Sequence, residues 1–440
     1  MTVVEADLLV QNCLLFPMDG REPIRGACLA IRGDRIVYAD RPRGVSFRAE
    51  EVIDGRGKAV LPGLVNCHTH APMTLLRGLA EDVPLDVWLR EHIWPVEAAM
   101  KPDDIYWGAL LACLEMSLTG TTCFSDMYFH EEQVARAVEE AGLRAVLAPG
   151  IMDITGPKLG EELLRAAVRL AERYGPSHGG RITVMLGPHA IYTCSRDLLE
   201  RVKEEADRLG IGIHIHLSET EEEVEKCLHE HGKTPVGYLD ELGLLGPRTL
   251  AAHCIYLTDE DIRLLAARGA KVAHCPVASA KIGTGVARVP ELLSAGVDVG
   301  LGTDGPASNN TLDMLETVKF ACLLHKAHRR DPTILKAREA LEMATVRAAR
   351  ALGLSGLVGS LEPGKKADFV VLDLRKASTV PLHDPYAAVV YSARSGAVEH
   401  VFVDGEPVVL GGQHVRLRAD EVLEKAEEKA AELLSRAGRA

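Results

Sequence analysis

Several things are missing from this chain, and each absence removes a class of protein. No two of its 10 cysteines form a Cys-x-x-Cys pair. Scattered single cysteines argue against a disulfide scaffold and against a cysteine-based zinc site, and they fit a reduced, cytoplasmic protein. No apolar run is long enough to span a bilayer, so no membrane partner is expected. The opening segment, MTVVEADLLV, lacks a basic stretch followed by a long apolar core, so no secretory signal is read there. A basic run is also missing, and the formal net charge is −13. Nucleic acid is therefore not expected as a partner. Beyond a repeating alternation described next, there is no internal repeat and no low-complexity segment.

What is present is a large apolar fraction, 47% of 440 residues, with 40 glycines and 22 prolines. That suffices for one large domain and a smaller one. The first part reads as strands: DLLVQNCLLF, then ACLAIRGDRIVYAD broken by a hairpin turn at Gly33-Asp34. From Leu64 onward, short apolar strands alternate with longer segments of helical period. The strands are read at 64–68, 121–126, 144–149, 182–187, 211–217, 249–254, 271–275 and 297–304. Eight strands alternating with helices predict a (β/α)8 TIM barrel, an α/β fold. After Gly364 strands return, with a second hairpin turn at Asp404-Gly405. The expected architecture is a barrel over 59–362 and a small β-sandwich domain built from both chain ends, 1–58 and 363–412. An amphipathic C-terminal helix follows within 413–440, its charged face solvated.

The chemistry gathers at the predicted strand ends, where active sites of such barrels lie. LPGLVNCHTH places His68 and His70 two residues apart. In a strand, residues i and i+2 share a face, so both can reach one ion. The pair alone is weak evidence, but the remaining strand ends carry Asp126, His189, His216, His253, His274 and Asp304. A core histidine is the bland reading for any one of these. It fails as an account of six histidines at one rim.

The motifs LPGLVNCHTHAPMTLLRG, HIHLSET, AAHC, VAHCP and GTDG, in this order, resemble the amidohydrolase superfamily, and LEPGKKADFVVLD resembles its return into the small β-domain. DVWLREHIWPVEAAM and GPHAIYTCS are similar to the branch that deaminates 5-methylthioadenosine and S-adenosylhomocysteine. The resemblance covers essentially the whole chain. It implies metal ligands at His68, His70, His216 and Asp304, a set that suits one Zn2+, with Fe2+ or Mn2+ as alternatives. Relatives with two metals use a strand-4 lysine, and here Gly187, Pro188 and His189 stand in its place.

The resemblance further implies Glu219 as a proton shuttle, Asp304 as the acceptor of the water proton, and His253 as a stabiliser of the tetrahedral state. Attack at C6 of adenine demands protonation of N1 and of the departing ammonia, which one carboxylate can serve. Glu97 and His189 would bind substrate, Glu97 through the ribose diol, with Trp88 or Trp94 lining an apolar pocket. His274 would stand one layer behind the ligands, and Cys67, Cys254 and Cys275 read as buried. Glu221 to Glu223 read as an exposed, acidic helix start. The implied activity converts 5′-methylthioadenosine, S-adenosylhomocysteine, 5′-deoxyadenosine or adenosine to the inosine analogue and ammonia. Two alternatives stand beside it: an aminohydrolase acting on guanine, pterin or triazine rings, and a catalytically silent barrel. The sequence departs from many relatives in CPVASAKIG, where Ala278-Ser279 replaces Ser-Asn, and in the strand-3 loop, where Lys158 is the one cation. Oligomeric state is left open.

Overall fold

The computed structural model describes residues 2–175 and 180–439. Five strands come first: β1 (Thr2–Leu15), β2 (Ile24–Arg32), β3 (Arg35–Asp40), β4 (Val45–Asp54) and β5 (Lys58–Pro62). Eight parallel strands follow: β6 (Leu64–Thr69), β7 (Thr121–Tyr128), β8 (Arg144–Ile151), β9 (Ile182–Pro188), β10 (Gly212–Leu217), β11 (Thr249–His253), β12 (Lys271–His274) and β13 (Val299–Leu301). They pair in sequence order. β6, β7, β8, β10 and β11 are buried at every residue. Strands covered on both faces read as continuous apolar runs rather than alternating ones.

Helices join the barrel strands, as the 3.6-residue period predicts. Arg196–Leu209, for example, starts at Ser195, whose side chain accepts from Leu198 N, and stops at Gly210 with φ +69°. A serine cap and a left-handed glycine are the residue types those two ends favour.

The seam between β13 and β6 is closed partly by side chains. Asn66 accepts from Thr303 N (3.0 Å) and donates to Thr303 Oγ1 (2.7 Å). Asp304 N donates to His68 O (2.9 Å). This explains why β13 stops at Leu301, short of the expected residue 304: Gly302 N makes a last bond to His274 O of β12, and the N–H groups of Thr303 and Asp304 then bond to β6 residues instead of continuing the ladder. The close approach needs glycine. A Cβ on Gly300 would stand 2.3 Å from Cys67 Sγ, and one on Gly302 3.0 Å from His68 Cβ.

β14 (Phe369–Asp373), β15 (Val398–Val403), β16 (Glu406–Leu410) and β17 (Gln413–His414) return to the first five strands. The strands of the expected β-sandwich form one nine-stranded mixed sheet, ordered β17-β16-β15-β14-β5-β1-β2-β3, with β4 also paired to β1. Both predicted hairpin turns are there. Asp404 and Gly405 have φ of +52° and +76°, the left-handed pair a type I′ turn requires. Ala419–Arg436 is helical. Its charged face is only partly solvated, because Arg436 and Lys429 pair with Asp104 and Asp103.

Candidate active site

The strand ends converge on one cavity of about 530 Å³, within the size range of small-molecule sites. His68 is the penultimate residue of β6 and His70 lies one residue past the strand, with ring centroids 4.8 Å apart. Asp304 Oδ1 stands 3.4 Å from His68 Nε2 and 3.2 Å from His70 Nε2. Ligating atoms of His68, His70 and Asp304 all lie within 4.8 Å of one another, as do those of His68, His216 and His253. The two sets share His68.

Partners on the far ring atoms fix where the inner ones point. His70 Nδ1 meets Met127 O at 2.6 Å, and His216 Nδ1 meets His189 O at 2.8 Å. A carbonyl can only accept, so each Nδ1 carries the proton and each Nε2 keeps its lone pair. His68 Nδ1 lies 2.9 Å from His214 Nε2, and His214 in turn approaches Ser125. His68 Nε2 is buried without a hydrogen-bond partner. An orphaned inward nitrogen beside a carboxylate and two further aimed imidazoles fits a divalent metal.

The electrostatics agree with that fit at two of the imidazoles. Burial holds His68 down to about 3 and His216 well below its ordinary value, which keeps them neutral and able to ligate. Burial would lower His70 too, but hydrogen bonding and charge from Asp304 outweigh it and raise it to about 9, so a metal there displaces a proton. Burial would raise Asp304, but the close approach of the His68 and His70 imidazoles and the charge of His70 and His253 outweigh it and hold the carboxyl well below its usual range. Ser308 Oγ donates to Asp304 Oδ2 (2.7 Å). The backbone of Asp304 is left-handed at φ +63°, and that of His253 at +72°. Such conformations in non-glycine residues are held by their surroundings and gather at functional sites.

Glu219 lies two residues past β10, with Oε1 3.8 Å from His253 Nε2. Burial raises its pKa, against the opposing influence of His253. Its backbone N–H donates to Glu223 Oε2 (2.8 Å), and that of Ser218 to Glu223 Oε1 (2.9 Å). This corrects the reading of Glu221 to Glu223 as exposed. Glu221 and Glu222 are exposed, whereas Glu223 is buried and clamps the turn carrying Glu219.

Glu97, His189, Trp88 and Trp94 all line the cavity. Trp88 is buried, and Trp94 is partly exposed. Tyr128, which sequence reasoning passed over, donates to Glu97 Oε1 at 2.5 Å. Burial holds His189 down to about 4. Two rim residues sit off the cavity: Asp126 accepts from Ala71 N (2.6 Å), and His274 Nε2 faces His325 Nε2 at 3.1 Å. Cys67, Cys254 and Cys275 are buried as read. Lys158 is solvated beside Glu162, away from the cavity. Among the described residues, no lysine or arginine lines the cavity.

A parallel eight-stranded barrel with a metal-fitting cluster of imidazoles and a carboxylate at its strand ends is the arrangement of a metal-dependent hydrolase. The chain belongs to the amidohydrolase family, whose profile matches residues 59–408. It is 45% identical over 436 residues, 98% of this chain and 100% of the other, to a 5-methylthioadenosine/S-adenosylhomocysteine deaminase of Pelotomaculum thermopropionicum. It is 49% identical over 385 residues, 88% of this chain and 90% of the other, to a 5′-deoxyadenosine deaminase of Methanothermobacter thermautotrophicus. Among solved structures it resembles an adenosine deaminase from Xanthomonas campestris with bound zinc, at TM-score 0.95 and 35% identity, covering 98% of this chain and 99% of that one. No helix among the described residues is long and apolar enough to cross a membrane.

Proposed function

We propose that this chain is a hydrolytic deaminase of adenine nucleosides, converting 5′-methylthioadenosine, 5′-deoxyadenosine or a related nucleoside and water to the inosine analogue and ammonia. The observation that carries this reading is the single cavity in which Glu219, His253 and Asp304 meet the half-buried carboxylate of Glu97. His68, His70, His216 and Asp304 would hold one zinc ion per chain, since no lysine stands at the end of β9. Zinc, when bound, makes hydroxide available near neutral pH.

The protein side chains supply the rest. Asp304, ionised in its setting of imidazoles, accepts the proton the attacking water loses. Glu219 gives its proton to ring N1, takes up the hydroxyl proton released as C6 becomes a carbonyl, and passes that proton to the departing amine, while the proton held by Asp304 restores Glu219 for the next turnover; its raised pKa suits a group that must both take and give protons. His253, beside Glu219, holds the nucleophile and steadies the developing charge at C6. His189, neutral above about pH 4, offers the substrate a hydrogen bond. Glu97 accepts from the ribose diol, and Trp88 covers an apolar wall. A guanine, pterin or triazine ring would leave Glu97 without a diol to bind.

The test is ammonia release from nucleosides and free bases by the zinc-loaded enzyme and by Glu219→Gln. The variant should keep one zinc per chain by elemental analysis and still bind nucleoside, while turnover falls roughly 10²-fold or more. Near-normal turnover removes Glu219 from the mechanism. Activity confined to free bases removes the nucleoside reading.

A further inference from the structure

The carboxylate proposed to bind ribose has two places to go. Glu97 lines the nucleoside cavity and also a neighbouring cavity of about 340 Å³, and Tyr128 lines both as well. The pair therefore forms part of the partition between two open spaces. Glu97 is the last residue of a helical run that begins at Leu85, so its side chain is carried at a helix end beside both spaces. Tyr128 is the last residue of β7 and is buried, its ring 6.3 Å from that of His70 and 5.5 Å from that of Phe129. It is anchored to the barrel wall. Its hydroxyl donates to Glu97 Oε1 at 2.5 Å and approaches Met100 Sδ at 3.4 Å.

From this geometry we infer that Tyr128 is a positioning residue for ribose recognition: its hydroxyl fixes the Glu97 carboxylate on the nucleoside side of the partition. The inference rests on the reading of Glu97 as the diol acceptor. The phenol has one proton and gives it to Oε1. Oε2 and the remaining lone pairs of Oε1 are then free to accept the 2′- and 3′-hydroxyls. Burial raises the pKa of Glu97; the same bond, together with the charge of His70, opposes that and so favours the ionised form that can accept two hydroxyls. Without the phenol, the carboxylate is free to turn into the neighbouring cavity and to hold its proton at higher pH.

The test compares zinc-loaded wild type, Tyr128→Phe and Glu97→Ala on two substrates, 5′-deoxyadenosine and its 2′,3′-dideoxy counterpart. Phe keeps the ring packing and removes only the hydroxyl. For Tyr128→Phe, KM for 5′-deoxyadenosine should rise about tenfold or more, the usual scale for a hydrogen bond to a charged group. Its kcat should stay within about threefold, and KM for the dideoxy substrate within about twofold. The pH below which the riboside KM climbs should move upward. Unchanged riboside KM, or equal loss on both substrates, overturns the inference. Glu97→Ala separates the two readings. If it abolishes the preference for the diol while Tyr128→Phe keeps it, Tyr128 alone is dismissed. If wild type never discriminates, the diol reading falls and takes this inference with it.

Discussion

Glu223 is four residues past the proposed proton carrier, and its two carboxylate oxygens each accept from one backbone N–H of the Ser218-Glu219 turn. Ser218 is left-handed there, at φ +51°. A buried carboxylate that must accept twice cannot be replaced without leaving a donor unpaired. Glu223→Ala is expected to lower kcat tenfold or more with little change in metal content, read by steady-state kinetics and elemental analysis. An unchanged kcat would make Glu223 a helix-start residue only. Burial pushes its pKa up to about 7. Protonation removes an acceptor, so the clamp works above that value and loosens as pH falls through it. The signal was legible in the sequence: Thr220-x-x-Glu223 has the spacing of a helix-capping pair. A run of three glutamates hid it, because acidic runs are mostly solvated. His68 and His70, proposed as ligands, were legible as a pair for the opposite reason, since i, i+2 spacing at a strand end fixes a shared face. Tyr128 carried no such signal. One phenol at a strand end is indistinguishable from packing until its partner, 31 residues away, is placed beside it.

The elements that shape the cavity mouth were harder to read than those that carry the proposed ligands. The segment from Leu85 to Glu97 is three short turns, the middle one a π-helical stretch, Trp88–Ile93. A wide turn of this kind has no sequence period of its own and often marks a functional site. It brings Leu85, Trp88, Leu89 and Trp94 to the cavity, facing Met152 and Ile154 from the segment after β8. The arginines nearest in sequence are absent from that lining; Arg77 is turned to Glu115 at 2.5 Å. An apolar mouth without a cation suits a methylthio or methyl tail better than the carboxylate of a homocysteinyl one, which would forfeit a charge-assisted bond. The expected outcome is a kcat/KM for 5′-methylthioadenosine and 5′-deoxyadenosine at least about tenfold above that for S-adenosylhomocysteine, or about 1.4 kcal/mol. Equal values would mean that a cation reaches the tail from outside the cavity described.

The whole molecule is held as barrel plus sheet by charges that neither part explains alone. Arg144 at the start of β8 donates to Asp368 (2.8 and 3.1 Å) and to Asp404 (2.6 Å), and Arg181, just before β9, donates to Asp404 (2.8 Å). These lie at the strand starts, the end of the barrel away from the active site, where side chains serve stability rather than catalysis. The return of the chain to the small sheet was legible from its two hairpin turns. This bridge was not: Asp404 reads as a turn residue, and its arginines are 260 and 223 positions away. Burial would raise Asp404, but Arg144, Arg181 and Lys366 outweigh it and hold the carboxyl below its ordinary 3.8. A carboxyl whose folded pKa lies below its unfolded one adds stability that is full above the unfolded value and is lost as pH falls through the folded value. Asp404→Asn isolates that contribution, because asparagine tolerates the left-handed turn and keeps the shape. The variant should be less stable by about 1–3 kcal/mol at neutral pH, read from urea midpoints, with kcat unchanged at temperatures where both proteins are folded. The gap from wild type should narrow as pH falls below 3.8, where first the unfolded and then the folded wild-type carboxyl takes up a proton. A gap that stays constant with pH would show that the turn, and not the charge, is what Asp404 contributes.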